Sequence, residues 1–214
     1  KNRVGKIIVL LGDNPFLLET NRYNNILFNY LKDVDIFLTA DEYAYQNLQY
    51  FGKVKTILIP AGTDDGLFYP MAPSDVQMKE FGCDLLFVGT GYGRCPLGFF
   101  RGKILNELAE FDLKIFGNKN WTKLFPYFPN LSKKVILKSL TTEELNVAYN
   151  CSKIFIALTN PLAVNAVHTR VFDALASGTF VICEHREICK RIFPNDLVPT
   201  FRSIEELKEI IRYY

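Results

Sequence analysis

The sequence predicts an α/β protein built on two parallel sheets. Short apolar runs of β-branched and leucine residues alternate with stretches of helical spacing, an order expected of parallel strands joined by helices. Several of the strand-like runs, Gly5–Leu11 among them, are largely apolar, as strands covered on both faces are. Residues 61–81, AGTDDGLFYPMAPSDVQMKEF, are rich in Gly, Pro, Asp and Ser without periodicity, so they read as a linker that divides the alternation in two.

The elements follow in order. Gly5–Leu11, GKIIVLL, is the first buried strand. Gly12-Asp13-Asn14-Pro15 ends it, because Pro disfavours helix in the residue before it and Gly, Asp and Asn suit a turn. Phe16–Leu31 sets Tyr23, Ile26, Leu27, Tyr30 and Leu31 at helical spacing. Val34–Thr39 is a strand, Asp41–Tyr50 a helix stopped by Gly52, and Lys55–Pro60 a strand. Beyond the linker the pattern predicts strands at 84–88, 112–116, 134–138 and 153–158, helices at 98–110 and 142–150, and a Trp-containing segment at 119–129. Thr159–Glu184 then reads as a strand end, a polar loop, a short helix closed by Gly178 and a strand at Val181–Cys183. A helix Glu187–Phe193, a short run near Leu197–Thr200 and a helix Ser203–Tyr214 complete the chain, with Ser203 and Glu206 forming a capping box.

Composition narrows the functional classes. A net charge of +2 gives no reason to propose a nucleic-acid partner. No run of about 18 apolar residues is present to span a membrane as a helix. The 18 Phe and 11 Tyr predict aromatic cores. Five scattered cysteines, 83, 95, 151, 183 and 189, read as buried reduced thiols and favour a cytoplasmic setting. Cys183, His185 and Cys189 match no standard zinc spacing. No G-x-S-x-G elbow or Walker lysine is found, which leaves hydrolase and P-loop chemistry without a motif.

The candidate chemistry gathers in Thr159–Glu184. At i, i+3, i+4 spacing Phe172, Leu175 and Ala176 are expected to face a core, with Arg170, Asp173 and Ser177 on the opposite side. A loop feeding a helix N-terminus directs free N–H groups and the positive dipole end at its ligand, which suits a phosphate. Arg170 adds charge, and Asp173 can accept hydrogen bonds from sugar hydroxyls. From spacing alone an ordinary surface ion pair is an equal reading. Gly89-Thr90-Gly91-Tyr92-Gly93 follows a strand and lets backbone approach a phosphate, but it departs from G-x-G-x-x-G and PLGFF is expected to postpone the helix. Arg101 and Lys103 carry charge toward that phosphate or lie on a solvated helix face. Asn118 ends a strand at the same sheet edge, and Trp121 is either a stacking platform for a nucleobase or a core anchor. Asp13, at the carboxyl end of a strand, is either an acceptor-side base or a helix cap.

Three blocks carry a family resemblance. His168, Arg170, Phe172, Asp173 and Gly178 resemble the nucleotide-sugar signature of GT-B glycosyltransferases, and more closely its CgeB-like (spore maturation protein type) branch, N-x-R-x-F-E-x-x-x-x-G. His168 stands where that branch has Asn, Asp173 where it has Glu, and Asn165 where the broader family often has a second carboxylate. Phe87, Gly89, Thr90, Arg101, Leu105, Phe116, Gly117 and Trp121 resemble the opening of the nucleotide-binding domain, with GRCPL, Gly93–Leu97, as an insertion. Gly62, Asp64 and Phe68-Tyr69-Pro70 resemble the family's hinge.

The resemblance implies a GT-B fold of two Rossmann-like domains. Residues 1–62 would be the end of the N-terminal, acceptor-side domain, 63–81 the linker and 82–214 the nucleotide-sugar-binding domain. Because the likeness begins partway into the first domain, the N-terminal one is expected to be incomplete. The implied activity is metal-independent, hexosyltransferase-like transfer of a sugar from a UDP- or GDP-type donor to an acceptor hydroxyl, without a cofactor. Gly89, Thr90, Gly91, Arg101, Asn118, His168, Thr169, Arg170 and Asp173 are the implied donor contacts and Asp13 the implied base. A non-catalytic GT-B relative that binds a nucleotide or a protein partner is the alternative.

Overall fold

The computed structural model describes residues 5–11, 33–52, 54–160 and 163–214. Asp13, the turn around it and the helix expected at Phe16–Leu31 lie outside the described residues. The chain divides into two compact units, the first drawn from residues 1–61, 159–168 and 186–195 and the second from 62–158, 169–185 and 196–214.

In the first unit β1 (Ile8–Leu11), β2 (Ile36–Thr39) and β3 (Lys55–Leu58) form a parallel sheet in that order. Helix α1 (Glu42–Gly52) opens on Asp41, whose Oδ1 accepts the Ala44 N–H at 2.9 Å, so the sequence supplies its own N-cap. Phe37 and Leu48 are fully buried at the centre of this unit. Asn165 ties three segments of it together. Its N–H donates to Asp41 Oδ2 at 3.0 Å, its carbonyl accepts the Glu42 N–H at 3.1 Å, and its amide Nδ2 donates to Glu42 Oε2 at 2.6 Å. The remaining Asn165 Oδ1 accepts the N–H of Ile188 at 3.0 Å, within a helix spanning Glu187–Ile192.

The second unit opens with α2 (Asp75–Phe81), a correction to the aperiodic linker reading of 61–81. Seven residues are too few for a helical period to emerge, but the cap is complete: Ser74 Oγ accepts the Gln77 N–H, and Gln77 Oε1 accepts the Ser74 N–H. The strands β4 (Cys83–Val88), β5 (Leu113–Phe116), β6 (Val135–Ile136), β7 (Ser152–Ala157), β8 (Phe180–Glu184) and β9 (Thr200–Phe201) form one parallel sheet, ordered β6-β5-β4-β7-β8-β9. Near-continuous burial along β4 and β7 is the mark of a sheet covered on both faces.

Between the strands lie α3 (Pro96–Glu107), α4 (Thr142–Asn150), α5 (Thr169–Ala176) and, at the end, α7 (Ile204–Tyr213), with α6 being the Glu187–Ile192 helix of the first unit. PLGFF does not postpone the helix. Pro96 opens α3, where its fixed φ and missing N–H suit the first helical turn. Thr141 and Glu144 form a reciprocal capping box on α4. Half of the box expected at Ser203 forms: Ser203 Oγ accepts the Glu206 N–H, whereas Glu206 Oε2 takes the N–H of Arg202. All five cysteines are free thiols, four of them buried, and burial pushes the Cys83 thiol up to about 12.

Candidate functional site

The second sheet changes its direction of growth between β4 and β7, and open parallel sheets bind ligands at such a switch point, beyond the carboxyl ends of the strands. The turn after β4 and helix α5 meet that description. Gly89–Gly93 is moulded onto Trp121: the Gly89 N–H donates to the Phe116 carbonyl, and the Gly89 carbonyl accepts the Trp121 indole N–H, both at 2.9 Å. Asn118 Oδ1 accepts the N–H of Gly91 at 3.3 Å and of Asn120 at 3.2 Å. Trp121 is fully buried, which settles the two readings of it in favour of a core anchor.

Contact distances explain why the turn needs glycine. A Cβ on Gly91 would stand 2.5 Å from the Trp121 backbone nitrogen, and one on Gly117 would stand 2.2 Å from the Gly89 carbonyl oxygen. Gly91→Ala is expected to cost about 1–3 kcal/mol through overpacking, read as a lower urea midpoint at unchanged slope.

Arg101 is buried rather than on a solvated helix face, while Lys103 is exposed. Its NH1 donates to the Thr90 carbonyl at 3.0 Å and its NH2 to the Leu158 carbonyl at 3.4 Å, joining the ends of β4 and β7. The guanidinium lies over the rings of Tyr92, at 4.8 Å, and Phe87, at 5.6 Å. Its Nε is buried with no hydrogen-bond partner among the described residues. Burial lowers the Arg101 pKa; Tyr92 opposes that fall and Arg170 adds to it.

Helix α5 corrects the expected orientation. The buried residues are Val171, Asp173, Ala174 and, just past the helix, Ser177, while Phe172, Leu175 and Ala176 are only half-buried. Partners outside the helix decide this, because a polar group pays little for burial once it is hydrogen-bonded. Ser177 Oγ donates to Asn146 Oδ1 on α4 at 2.8 Å, and Thr63 Oγ1 donates to Asp173 Oδ1 at 2.7 Å. Gly178, at φ +84°, ends the helix as expected: its N–H reaches the Leu175 carbonyl and the Thr179 N–H the Ala174 carbonyl, a Schellman arrangement.

Arg170 NH1 donates to the Val88 carbonyl at the end of β4, and Thr169 is exposed at the start of α5. Burial raises the Asp173 pKa, against the Thr63 hydrogen bond and the Arg170 charge, which both lower it. Tyr149 on α4 is fully buried, and its hydroxyl has no hydrogen-bond partner among the described residues. Burial pushes its pKa up, with Arg170 lowering it and Asp173 raising it, so the phenol shares the field of both charges.

Gly89, Thr90, Gly91, Arg101, Asn118, Thr169, Arg170 and Asp173 thus all belong to the second unit, whereas half-buried His168 is the last residue of a segment grouped with the first. Sequence reasoning misses Thr63 and Tyr149, which no spacing links to Asp173. Asp64, in the same segment as Thr63, uses Oδ1 to accept the Gly66 N–H at 2.9 Å, as a turn residue does. Among the described residues no three His, Cys, Asp or Glu side chains gather as a metal site, and no helix is long and apolar enough to cross a membrane.

A family model described as glycosyl transferase-like matches residues 99–214, more than half of the chain. No curated protein matches the sequence. Among solved structures, sucrose-phosphate synthase from Thermosynechococcus elongatus is similar at 18% identity and a TM-score of 0.67, over 95% of this chain and 57% of that one. Anabaena HepE in complex with UDP and glucose matches at 12% identity and a TM-score of 0.69, over 97% of this chain and 61% of that one. The E. coli trehalose-6-phosphate structure bound with UDP-2-fluoro glucose matches at 9% identity and a TM-score of 0.62, over 97% of this chain and 59% of that one. These likenesses show the fold, α/β with parallel sheets of GT-B type, and the chain spans about three fifths of the length of each of these neighbours.

Proposed function

We propose that this chain, which belongs to the glycosyl transferase-like family, binds the donor in transfer of a sugar from a nucleoside diphosphate sugar to an acceptor hydroxyl. One observation carries the reading: Arg170, which shares α5 with Asp173, donates to the Val88 carbonyl immediately before the glycine turn, at the switch point of the second sheet. In this reading Gly89, Thr90 and Gly91 let the backbone of the turn come close to the diphosphate beside Thr169, the Gly89 and Gly91 N–H groups being held by Phe116 and Asn118, and Arg170 and Arg101 neutralise its charge as it departs. Those cations take the role a metal would otherwise fill, so transfer is metal-independent and needs no cofactor. Asp173 accepts hydrogen bonds from ribose or sugar hydroxyls. Asn118 holds the glycine turn open to the donor, and His168, next to Thr169 in sequence, contributes a further donor contact. If transfer inverts the sugar, Asp13 is the base.

UDP is the first nucleotide to try, since two of the structural neighbours are described with UDP or a UDP-sugar analogue; GDP is the second. The motif from His168 to Gly178 supports the CgeB-like branch, and the five free thiols support a cytoplasmic setting. Asn165, with its backbone and amide groups engaged inside the first unit, favours a second reading, a non-catalytic relative that retains only nucleotide binding. Nucleotide binding without turnover of any UDP- or GDP-sugar by the full-length protein would select it.

Calorimetric titration with UDP and GDP tests the main reading. The wild type is expected to bind one of them, and Arg170→Ala to weaken that binding by roughly 10- to 100-fold through loss of charged hydrogen bonds. A folded chain that binds neither nucleotide removes the physical basis of the proposal.

A further inference from the structure

The segment from Thr63 to Met71 is pinned to α4 by a stripe of side chains at i, i+3 and i+4. Asn146 Oδ1 accepts the Tyr69 N–H at 3.2 Å, and Asn150 Oδ1 accepts the Met71 N–H at 2.8 Å. Asn150 Nδ2 donates in return to the Tyr69 carbonyl at 3.1 Å. Between them Phe68, buried, sets its ring 6.1 Å from that of Tyr149. The Asp64 carbonyl accepts the N–H groups of Leu67 and Phe68, closing a turn immediately after Thr63. Thr63 itself is exposed, yet its hydroxyl reaches Asp173 Oδ1 across 110 residues of sequence. Among the described residues no other hydrogen bond to the Asp173 carboxylate is present, and its Oδ2 is not among the fully buried atoms left without a partner.

We propose that Thr63 is a positioning residue of the donor site: its hydroxyl fixes Asp173 Oδ1 and turns Oδ2 toward the vicinal hydroxyls of a nucleoside diphosphate or its sugar. The inference rests on the donor-site reading of Asp173. An unrestrained carboxylate rotates about its terminal torsion, and a donor held by a rigid neighbouring segment removes that freedom before the ligand arrives. The groups facing Asp173 are Arg170 on its own helix, Tyr149 on α4 and Thr63. The Thr63 hydrogen bond lowers the Asp173 pKa, so it also keeps the carboxylate ionised toward lower pH.

Thr63→Val preserves shape and, at an exposed position, leaves the fold intact; Thr63→Ser preserves the donor. With UDP or GDP, whichever the wild type binds, Thr63→Val is expected to bind roughly tenfold more weakly at neutral pH. Its binding is also expected to be lost at higher pH than in the wild type, while Thr63→Ser stays close to the wild type. In the free protein, the carbon-13 carboxyl resonance of Asp173 should titrate at higher pH in Thr63→Val. Unchanged affinity and an unchanged carboxyl titration overturn the proposal, and tighter binding by Thr63→Val overturns it by making Thr63 a competitor for the carboxylate. If the wild type binds neither nucleotide, the positioning role falls with the donor reading, whereas an effect confined to the carboxyl titration refutes the positioning role alone.

Discussion

Trp121→Ala is expected to lower the unfolding free energy by about 3–5 kcal/mol, the range for deleting a large buried aromatic. For a chain of this size that corresponds to a fall in Tm on the order of 10 °C. Trp121 is fully buried, meets Phe87 edge-on with centroids 6.1 Å apart, and supplies the N–H that satisfies the Gly89 carbonyl. Trp121→Phe separates these roles. It keeps much of the packing but leaves the carbonyl of a buried turn without its donor, at about 1–3 kcal/mol. As the chain's one tryptophan, Trp121 is also the native probe of this core. Its emission should shift to the red on unfolding in urea, and acrylamide should quench it poorly before that. Strong quenching of the folded protein would contradict the burial on which the prediction rests.

Asp173→Asn is expected to abolish nucleotide binding at calorimetric concentrations while raising Tm at pH 7. Burial raises the pKa of this carboxylate in the folded state. A raised acid contributes stability below its unfolded pKa and loses that contribution as pH rises through its folded value, so at neutral pH the ionised group opposes folding. Asparagine removes the charge and keeps an oxygen for the Thr63 hydroxyl. The Tm advantage should therefore shrink as pH falls through the carboxylate range. A neutral-pH Tm below that of wild type would show that the ion's local partners outweigh its desolvation. Such a trade of stability for a functional charge is common at binding sites.

The second sheet is legible in the sequence because its strands are apolar almost throughout, and β4, β5 and β7 fall within a residue or two of the expected spans. Its order follows from pairing that no single run encodes. Helix α2 is hidden by its length, although Ser74 and Gln77 mark its start. The face of α5 is the instructive failure. Phe172, Leu175 and Ala176 form the more apolar stripe, but Asn146 and Thr63 offer hydrogen bonds on the other side, and neither is visible in the spacing of the helix itself. The candidate site divides in the same way. Arg170, Asp173 and the glycines emerge from helix and turn chemistry, whereas burial of Arg101 and the involvement of Thr63 and Tyr149 depend on contacts between distant segments.

Asn165 shows why an amide and not a carboxylate suits its position. Its amide Nδ2 donates a hydrogen bond to Glu42 and its Oδ1 accepts one from the Ile188 N–H, so the residue acts as donor and acceptor at once. Aspartate has the acceptor and lacks the donor, and would set its charge against Glu42 and Asp41 together. An acid at this position would therefore leave the Glu42 carboxylate without its amide donor and place a second negative charge beside it, which ties the amide at 165 to the join between the Asp41–Glu42 and Ile188 segments.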